Sequence, residues 1–203
     1  MAESRIFLFG QGGHAGVIRS FLPGHTKITH VTKEGGSGAM SEEVFFREAL
    51  GPADEVYLGI GDNEIRRRLF LKLTERGFRL PPLVAPGATV VQGAKLGRAV
   101  VVCPGAVVMA TASLGDNVIL NTLSSVDHDC VVGDHAQLTA GVILGGGVKI
   151  GAGSFLGLRA AVIPSVELGE NTVVMAGSLV TKSYPKAGTV LGGSPAYPAR
   201  TAH

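Results

Sequence analysis

Residues 115–150 read GDNVIL, NTLSSV, DHDCVV, GDHAQL, TAGVIL and GGGVKI, six blocks of six. Each block closes on an aliphatic side chain: Leu120, Val126, Val132, Leu138, Leu144 and Ile150. The step of six runs outward without a slip, back to Val84 and on to Val174, giving sixteen aliphatic positions. Four residues after each comes a small or β-branched side chain, among them Ala88, Ala94, Val100, Ala106, Ser124, Cys130 and Ala136. One large and one small inward residue per six suits a narrow interior.

A second period lies on the first. Gly97, Gly115, Gly133, Gly151 and Gly169 are spaced by eighteen, so three blocks make one coil and these glycines stack. The third residue after each aliphatic one is often Gly, Asn, Asp or His (Gly87, Gly93, Gly105, Asn117, Asp129, His135, Gly141, Gly147, Gly153, Asn171, Gly177). These types tolerate the positive φ of a sharp corner. A triangular parallel β-helix follows, with coils stacked about 4.8 Å apart. Its outward positions are irregular, unlike the flat repeated array of a purely structural solenoid.

Composition agrees. Apolar residues are 45% of the 203, enough for a core, and charged residues only 17%, against about 25% in ordinary domains. A net charge of +2 and 5% aromatics argue against a nucleic-acid-binding face. Cys103 and Cys130 fall in apolar runs outside any CxxC motif, as buried free thiols would. The N-terminus does not resemble a signal peptide, and no apolar run reaches bilayer length. The expectation is a soluble cytoplasmic protein without a membrane partner.

Residues 1–80 lack the six-residue period. Arg5 to Phe9 reads as a buried strand, followed by Gly10-Gln11-Gly12-Gly13-His14-Ala15-Gly16 and a helix from Val17 to Leu22. Strands are expected at Ile28–Val31 and Val56–Ile60, and helices at Glu42–Leu50 and Glu64–Arg76, the last capped by Asp62 or Asn63. Pro81-Pro82 marks a linker, dividing a Rossmann-like βαβαβ domain at 1–80 from the solenoid at 81–203. Gly10, Gly12 and Ala15 fit the dinucleotide pattern GxGxxG/A. The acidic residue expected about twenty positions on is not in place, and the segment is too short for a full dinucleotide domain. A small unit holding a nucleotide-linked substrate fits better than a redox role.

Two joined motifs resemble one family. The first is Ile6-Phe7-Leu8-Phe9-Gly10-Gln11-Gly12-Gly13-His14 with Gly59-Ile60-Gly61-Asp62-Asn63-Glu64-Ile65-Arg66-Arg67. The second is Asn121-Thr122 through Val126-Asp127-His128-Asp129-Cys130-Val131-Val132-Gly133. With the tail, Val180-Thr181-Lys182 and Gly193-Ser194-Pro195-Ala196, they make the chain similar to the sialic acid O-acetyltransferase and nucleotide-amino-sugar N-acetyltransferase group of hexapeptide-repeat acyltransferases. The resemblance implies a left-handed β-helix, a homotrimer, and acetyl-CoA in the groove between neighbouring subunits. It implies no metal. It implies a sugar nucleotide at Gly10, Gly12, Gly13, His14, Gly61, Asp62, Asn63 and Arg66, with Asn121. The acceptor it implies is the 4-amino group of a UDP- or GDP-linked deoxysugar, or a sialic acid hydroxyl.

His128, two residues after Val126, projects from a corner and is flanked by Asp127 and Asp129, either able to hold the imidazole tautomer. A histidine near its ordinary pKa suits a general base that takes the proton of an attacking amine or hydroxyl. The resemblance makes Asp129 the partner. Eighteen residues on is Gly146, within Gly145-Gly146-Gly147. Three residues without side chains would leave room for a thioester and expose an amide to its oxyanion. CoA is then expected past Leu158, Ala176 and Gly177 toward Lys182, a phosphate contact. Where the family often has a second histidine touching the acetyl donor, this chain has Gln137; His135 falls at a corner. The family's paired aspartates after the second strand are also missing from Val31-Thr32-Lys33-Glu34, leaving the nucleotide open.

Three other readings compete for the same residues. A zinc carbonic anhydrase on this solenoid needs three histidine ligands, whereas only His128 and His135 are available and they cannot stack. Sialic or related nonulosonic acid O-acetylation uses the same base. A non-catalytic sugar-nucleotide-binding trimer leaves the His-Asp pair without a purpose.

Overall fold

A computed structural model describes residues 5–22, 27–48 and 53–199. The chain divides into two compact units, Met1–Pro81 and Pro82–His203. No described helix is long and apolar enough to cross a membrane.

The first unit runs β1 (Ile6–Phe9), α1 (Gly13–Phe21), β2 (Ile28–Thr32), β3 (Met40–Ser41), α2 (Glu42–Arg47), β4 (Glu55–Leu58) and α3 (Asn63–Glu75). The strands form one parallel sheet in the order β3-β2-β1-β4, with Ile6 opposite both Ile28 and Glu55. All four β1 side chains are buried, as a central parallel strand covered on both faces demands. Phe45 of α2 packs edge-on against Phe7 and Phe9, with ring centroids 5.1 and 4.9 Å apart. Ser41 caps α2 through Val44 N–H at 3.2 Å, and Asp62 caps α3 through Ile65 N–H at 2.8 Å.

Two differences from the sequence reading have physical causes. Helix α1 begins at Gly13, not Val17, because the glycines themselves form its first turn behind Gly12. Strand β3 is only two residues long and carries no periodic signal of its own. The expected end of the second helix, at residues 49–50, lies outside the described residues.

The second unit is a solenoid of two-residue strands on three parallel faces. Face 1 starts at Leu83–Val84, face 2 at Thr89–Val90 and face 3 at Lys95–Leu96, and the chain visits them in that order in every coil. Register is always eighteen: Ser113 lies opposite Val131, Ser125 opposite Ile143 and Gln137 opposite Phe155. Inside, Val102, Leu120, Leu138, Leu156 and Val174 form a fully buried column.

The corners repeat as strictly. Every sixth residue from Gly87 to Gly177 has positive φ, including Ala99, Thr111, Leu123, Arg159 and Ser165. These five carry no sequence signal for that conformation. Each non-glycine corner costs on the order of 1 kcal/mol, offset by coil-to-coil hydrogen bonds on either side. The stacked glycines have a different cause. A Cβ on Gly97 would lie 2.6 Å from the Gly115 carbonyl carbon, and one on Gly133 2.6 Å from Ala152 N. After the last full coil, Tyr184 bridges to Leu168 and its hydroxyl donates to the Ala196 carbonyl at 2.9 Å, closing the end.

Gly133→Ala should therefore force two backbones apart and lower stability by about 1–3 kcal/mol, read as an earlier urea midpoint. An unchanged midpoint would mean that the coils are not held at van der Waals contact there.

Candidate active site

His128 leaves the corner between faces 2 and 3, its side chain 63% exposed in the single chain. Its Nδ1 lies 2.8 Å from Asp129 Oδ2. An ionised carboxylate only accepts, so Nδ1 carries the proton and Nε2 presents a lone pair to the outside. Asp127 is occupied differently: its Oδ1 accepts the His128 backbone N–H at 2.7 Å. The geometry thus distinguishes the two flanking aspartates that composition left equivalent.

Asp129 is itself a positive-φ corner residue, φ 59. Its backbone N–H donates to Thr111 Oγ1, one coil earlier, at 3.0 Å. Thr111 was absent from the sequence reading; the eighteen-residue period is the signal that could have found it. The electrostatics follow. The hydrogen bond that His128 donates to Asp129, then the charge of Asp127, raises the His128 pKa above 6.5, while the hydrogen bonds with His128 and Thr111 lower that of Asp129. Cys130 points inward beneath, its thiol donating to the Gly145 carbonyl at 3.2 Å, and burial raises its pKa.

The three glycines of the next coil serve three purposes. A Cβ on Gly145 would strike Pro164 at 2.8 Å, and Gly147 holds the corner at φ 69. A Cβ on Gly146 would lie 2.6 Å from His128 Cε1 and Nε2. The space that a Gly146 side chain would fill is thus taken by the imidazole edge. The Gly146 N–H makes no hydrogen bond among the described residues, which leaves it available to an oxyanion beside Nε2.

The remaining expected contacts do not form one track. Lys182 lies three coils beyond His128 on the same corner column, about 14 Å away by coil spacing. Its Nζ is 5.7 and 5.3 Å from the Tyr184 and Tyr197 ring centroids. Asn121, Leu158, Ala176 and Gly177 sit on the other edge of face 2, at the corner with face 1. Leu158, Ala176 and Gly177 are exposed, whereas the Asn121 side chain accepts from Thr122 N–H at 2.9 Å. Gln137 lies on face 1, opposite the His128 corner, and is buried. One chain does not bring Gln137 to His128.

In the first unit, Gly12, Gly13 and Gly61 border open space. Gly10 does not: at φ 103 its Cβ would meet the Gly59 carbonyl oxygen at 2.8 Å, so its role is close packing. Asp62 spends its carboxylate on the α3 cap. Arg66 departs furthest from expectation, being 1% exposed. From below the loop its guanidinium donates to the Ile60 and Gly61 carbonyls at 3.4 and 3.3 Å and to Asn63 Oδ1 at 2.9 Å. It braces the loop from beneath, and burial lowers its pKa to about 10. His14 lies partly buried nearby. Burial, then the Arg66 charge, lowers its pKa to about 4, so it is neutral; its Nε2 is buried without a partner among the described residues.

Residues 125–156 and 147–182 match the family profile described as the hexapeptide repeat of succinyl-transferase. PerB from Caulobacter crescentus, solved with CoA and GDP-perosamine, is 32% identical over 98% of both chains, with a TM-score of 0.88. A His-to-Asn mutant of perosamine N-acetyltransferase from the same organism, also with CoA and GDP-perosamine, is 30% identical over 98% of this chain and 99% of that one (TM-score 0.90). The acetyltransferase domain of PglB from Neisseria gonorrhoeae FA1090, with acetyl coenzyme A, is 29% identical over 98% of this chain and 100% of its own (TM-score 0.91). The repeat, the paired His128 and Asp129 and this end-to-end identity make the chain a member of the nucleotide-amino-sugar N-acetyltransferase family of hexapeptide-repeat acyltransferases.

Proposed function

We propose that this protein transfers the acetyl group of acetyl-CoA to the 4-amino group of a nucleotide-linked amino-deoxysugar, with His128 as general base. The observation that carries the reading is the 2.8 Å His128–Asp129 contact beside a Gly146 amide with no hydrogen bond among the described residues, in a chain 32% identical to PerB. The amine attacks the thioester carbonyl carbon while Nε2 of His128 takes its proton. Asp129 holds the opposite ring nitrogen and stabilises the imidazolium. The oxygen of the tetrahedral intermediate gains charge, which the Gly146 N–H meets. Collapse breaks the carbon–sulfur bond, and the imidazolium returns its proton to the departing CoA thiolate.

The reading extends to the whole assembly. The solenoid turns left-handed, and three copies enclose acetyl-CoA in the grooves between them. Face 2 and its edges favour this: Ile143, Leu158 and Met175 are each more than half exposed on a single chain, an apolar stripe of the kind a partner covers. In that arrangement a neighbouring copy supplies Gln137 to the acyl donor. Leu158, Ala176 and Gly177 flank the pantetheine arm, and Lys182 faces the phosphates. The Rossmann-like first unit holds the sugar nucleotide at Gly12, Gly13 and Gly61. Free buried Cys103 and Cys130 fit a reducing cytoplasm.

CoA release from acetyl-CoA, followed by a thiol reagent, tests the activity against UDP- and GDP-linked 4-amino-deoxysugars and free sialic acids. Release with a nucleotide amino sugar is expected. Silence with all of these, or release with sialic acid alone, would refute the reading. His128→Ala should lower turnover by about 10²–10⁴-fold without altering the fold; near-normal turnover would remove His128 from the mechanism.

The active form of His128 is neutral, and its raised pKa places the acid limb of the rate profile above pH 6.5. Activity should therefore fall as pH drops through that limb. Asp127→Asn keeps an oxygen for the His128 N–H but removes a charge, and should move the limb to lower pH. A limb that stays put would show that another group titrates. Gly146→Ala pushes a methyl group into the imidazole and should cost roughly 10²-fold in kcat with little change in Tm. Retained kcat would show that the ring has room to move.

A further inference from the structure

The corners of the solenoid are tied by a rung with one exception. From Asn117 to Gly177, the positive-φ residue of each corner donates its N–H to the carbonyl nineteen positions back, as Leu123 does to Pro104, His135 to Asp116 and Gly147 to His128. Among these corners Asp129 alone departs from the rule. Its N–H goes to Thr111 Oγ1 at 3.0 Å, and the Ala110 carbonyl, nineteen positions back, receives the Thr111 hydroxyl instead. One side-chain oxygen is thus inserted where the other corners meet directly. Thr111 stands there against its own preference. At φ 65 it is the one β-branched residue among the described non-glycine residues with positive φ, a conformation that branched side chains rarely take. The corner itself accepts glycine, as Gly93 one coil before and Gly147 two coils after show. A threonine that is strained where glycine is relaxed, and that breaks the ladder directly under the His-Asp pair, points to a use for its hydroxyl.

We propose that Thr111 is a positioning residue for the acyl transfer, its inserted hydroxyl keeping Asp129 off the direct rung so that the carboxylate reaches Nδ1 of His128. This rests on the proposed function of His128 as general base. With the hydroxyl in place, one hydrogen-bonded oxygen separates the Asp129 amide from the Ala110 carbonyl, and Asp129 Oδ2 lies 2.8 Å from Nδ1. The same hydroxyl is, after His128, the second cause that lowers the Asp129 pKa, which favours the ionised acceptor that the imidazole N–H needs. Without it, the Asp129 N–H is free to close on Ala110 as the other corners do, drawing the carboxylate off the ring. Few groups face the imidazole to compensate. Asp127 and Asp129 carry the charge on its own corner, the coil after presents Gly145-Gly146-Gly147, and the Cys130 thiol turns inward to the Gly145 carbonyl. Loss of the Asp129 contact therefore removes the largest support of the imidazolium and leaves the charge of Asp127.

NMR titration of the histidines in the full chain tests this, with the His128 signal identified by its loss in His128→Ala, alongside the pH profile of CoA release. Thr111→Gly removes the hydroxyl and the strain together. It should hold or raise Tm, lower the His128 pKa toward 6.5, move the acid limb of the rate to lower pH and reduce kcat on the plateau by roughly tenfold to hundredfold. Thr111→Val keeps the branched shape without the hydroxyl and should show the same shift with a lower Tm. Thr111→Ser keeps the hydroxyl and should restore both the pKa and kcat. An unmoved His128 pKa in Thr111→Gly, or a serine variant that behaves like the glycine one, overturns the proposal. So does a shift confined to the valine variant, which would trace to bulk at the corner. A shifted His128 pKa in Thr111→Gly, with no CoA release by the unaltered protein on any nucleotide amino sugar, refutes the proposed function and leaves the Thr111–Asp129–His128 arrangement standing.

Discussion

Everything in the solenoid depends on the spacing between hydrogen-bonded strands. The N–H of one residue reaches the carbonyl seventeen positions on, as Val101 does to Val118 and Ser113 to Cys130, so side chains eighteen apart lie against each other. Once that register is set, chemistry at one position is decided by another a full coil away. Thr111 reaches Asp129, and Gly146 accommodates His128, for this reason alone. The same closeness removes side chains from Gly97 and Gly133, where a methyl group would sit inside the next coil's backbone. It also imposes left-handed corners on residues that gain nothing locally from them, such as Leu123 and Arg159.

The His128 corner uses that constraint. Asp129 occupies the positive-φ position, which turns its carboxylate back toward the imidazole of the residue before it. Thr111 steadies its amide from the coil before, so the pair is held by backbone geometry and not by a packed side-chain shell. The imidazole is thereby held in place while staying exposed. Neither residue is buried, and the hydrogen bond between them is the largest cause of the shift in each, raising the His128 pKa and lowering that of Asp129.

The fold was legible because one large and one small inward residue recur every six without interruption, a pattern that only a narrow three-sided interior explains. The His-Asp corner was legible because polar residues break an apolar repeat. What stayed hidden was whatever depends on three-dimensional neighbours. Ala99, Thr111 and Ser165 do not advertise a left-handed backbone, since the coil imposes it on them. Arg66 reads in sequence as a sugar-nucleotide contact, yet lies under a loop whose carbonyls need donors. Gln137 is nine residues from His128, half a coil, which places it across the triangle; counting residues alone does not show that half a coil means the opposite side. In the first unit, Gly10 and Gly12 belong to one motif but do unlike work, the former packing against Gly59 and the latter bordering open space.

An exposed base on a solenoid corner is chemically incomplete by itself. In open water, the Gly146 amide competes with solvent for the oxyanion and the electrostatic gain from a fixed donor is screened. Such a corner becomes effective when another surface covers it and excludes water. The apolar side chains at Ile143, Leu158 and Met175 lie on or beside face 2, which the His128 corner borders. Their exposure on one chain costs free energy, and burial against a second copy would recover it while drying the site. The rigid spacing of the coils makes that cover repeatable, since a face whose outward residues are fixed at eighteen-residue intervals presents the same ridge in each copy. The need for a dry catalytic corner and the need to bury face 2 thus favour the same assembly.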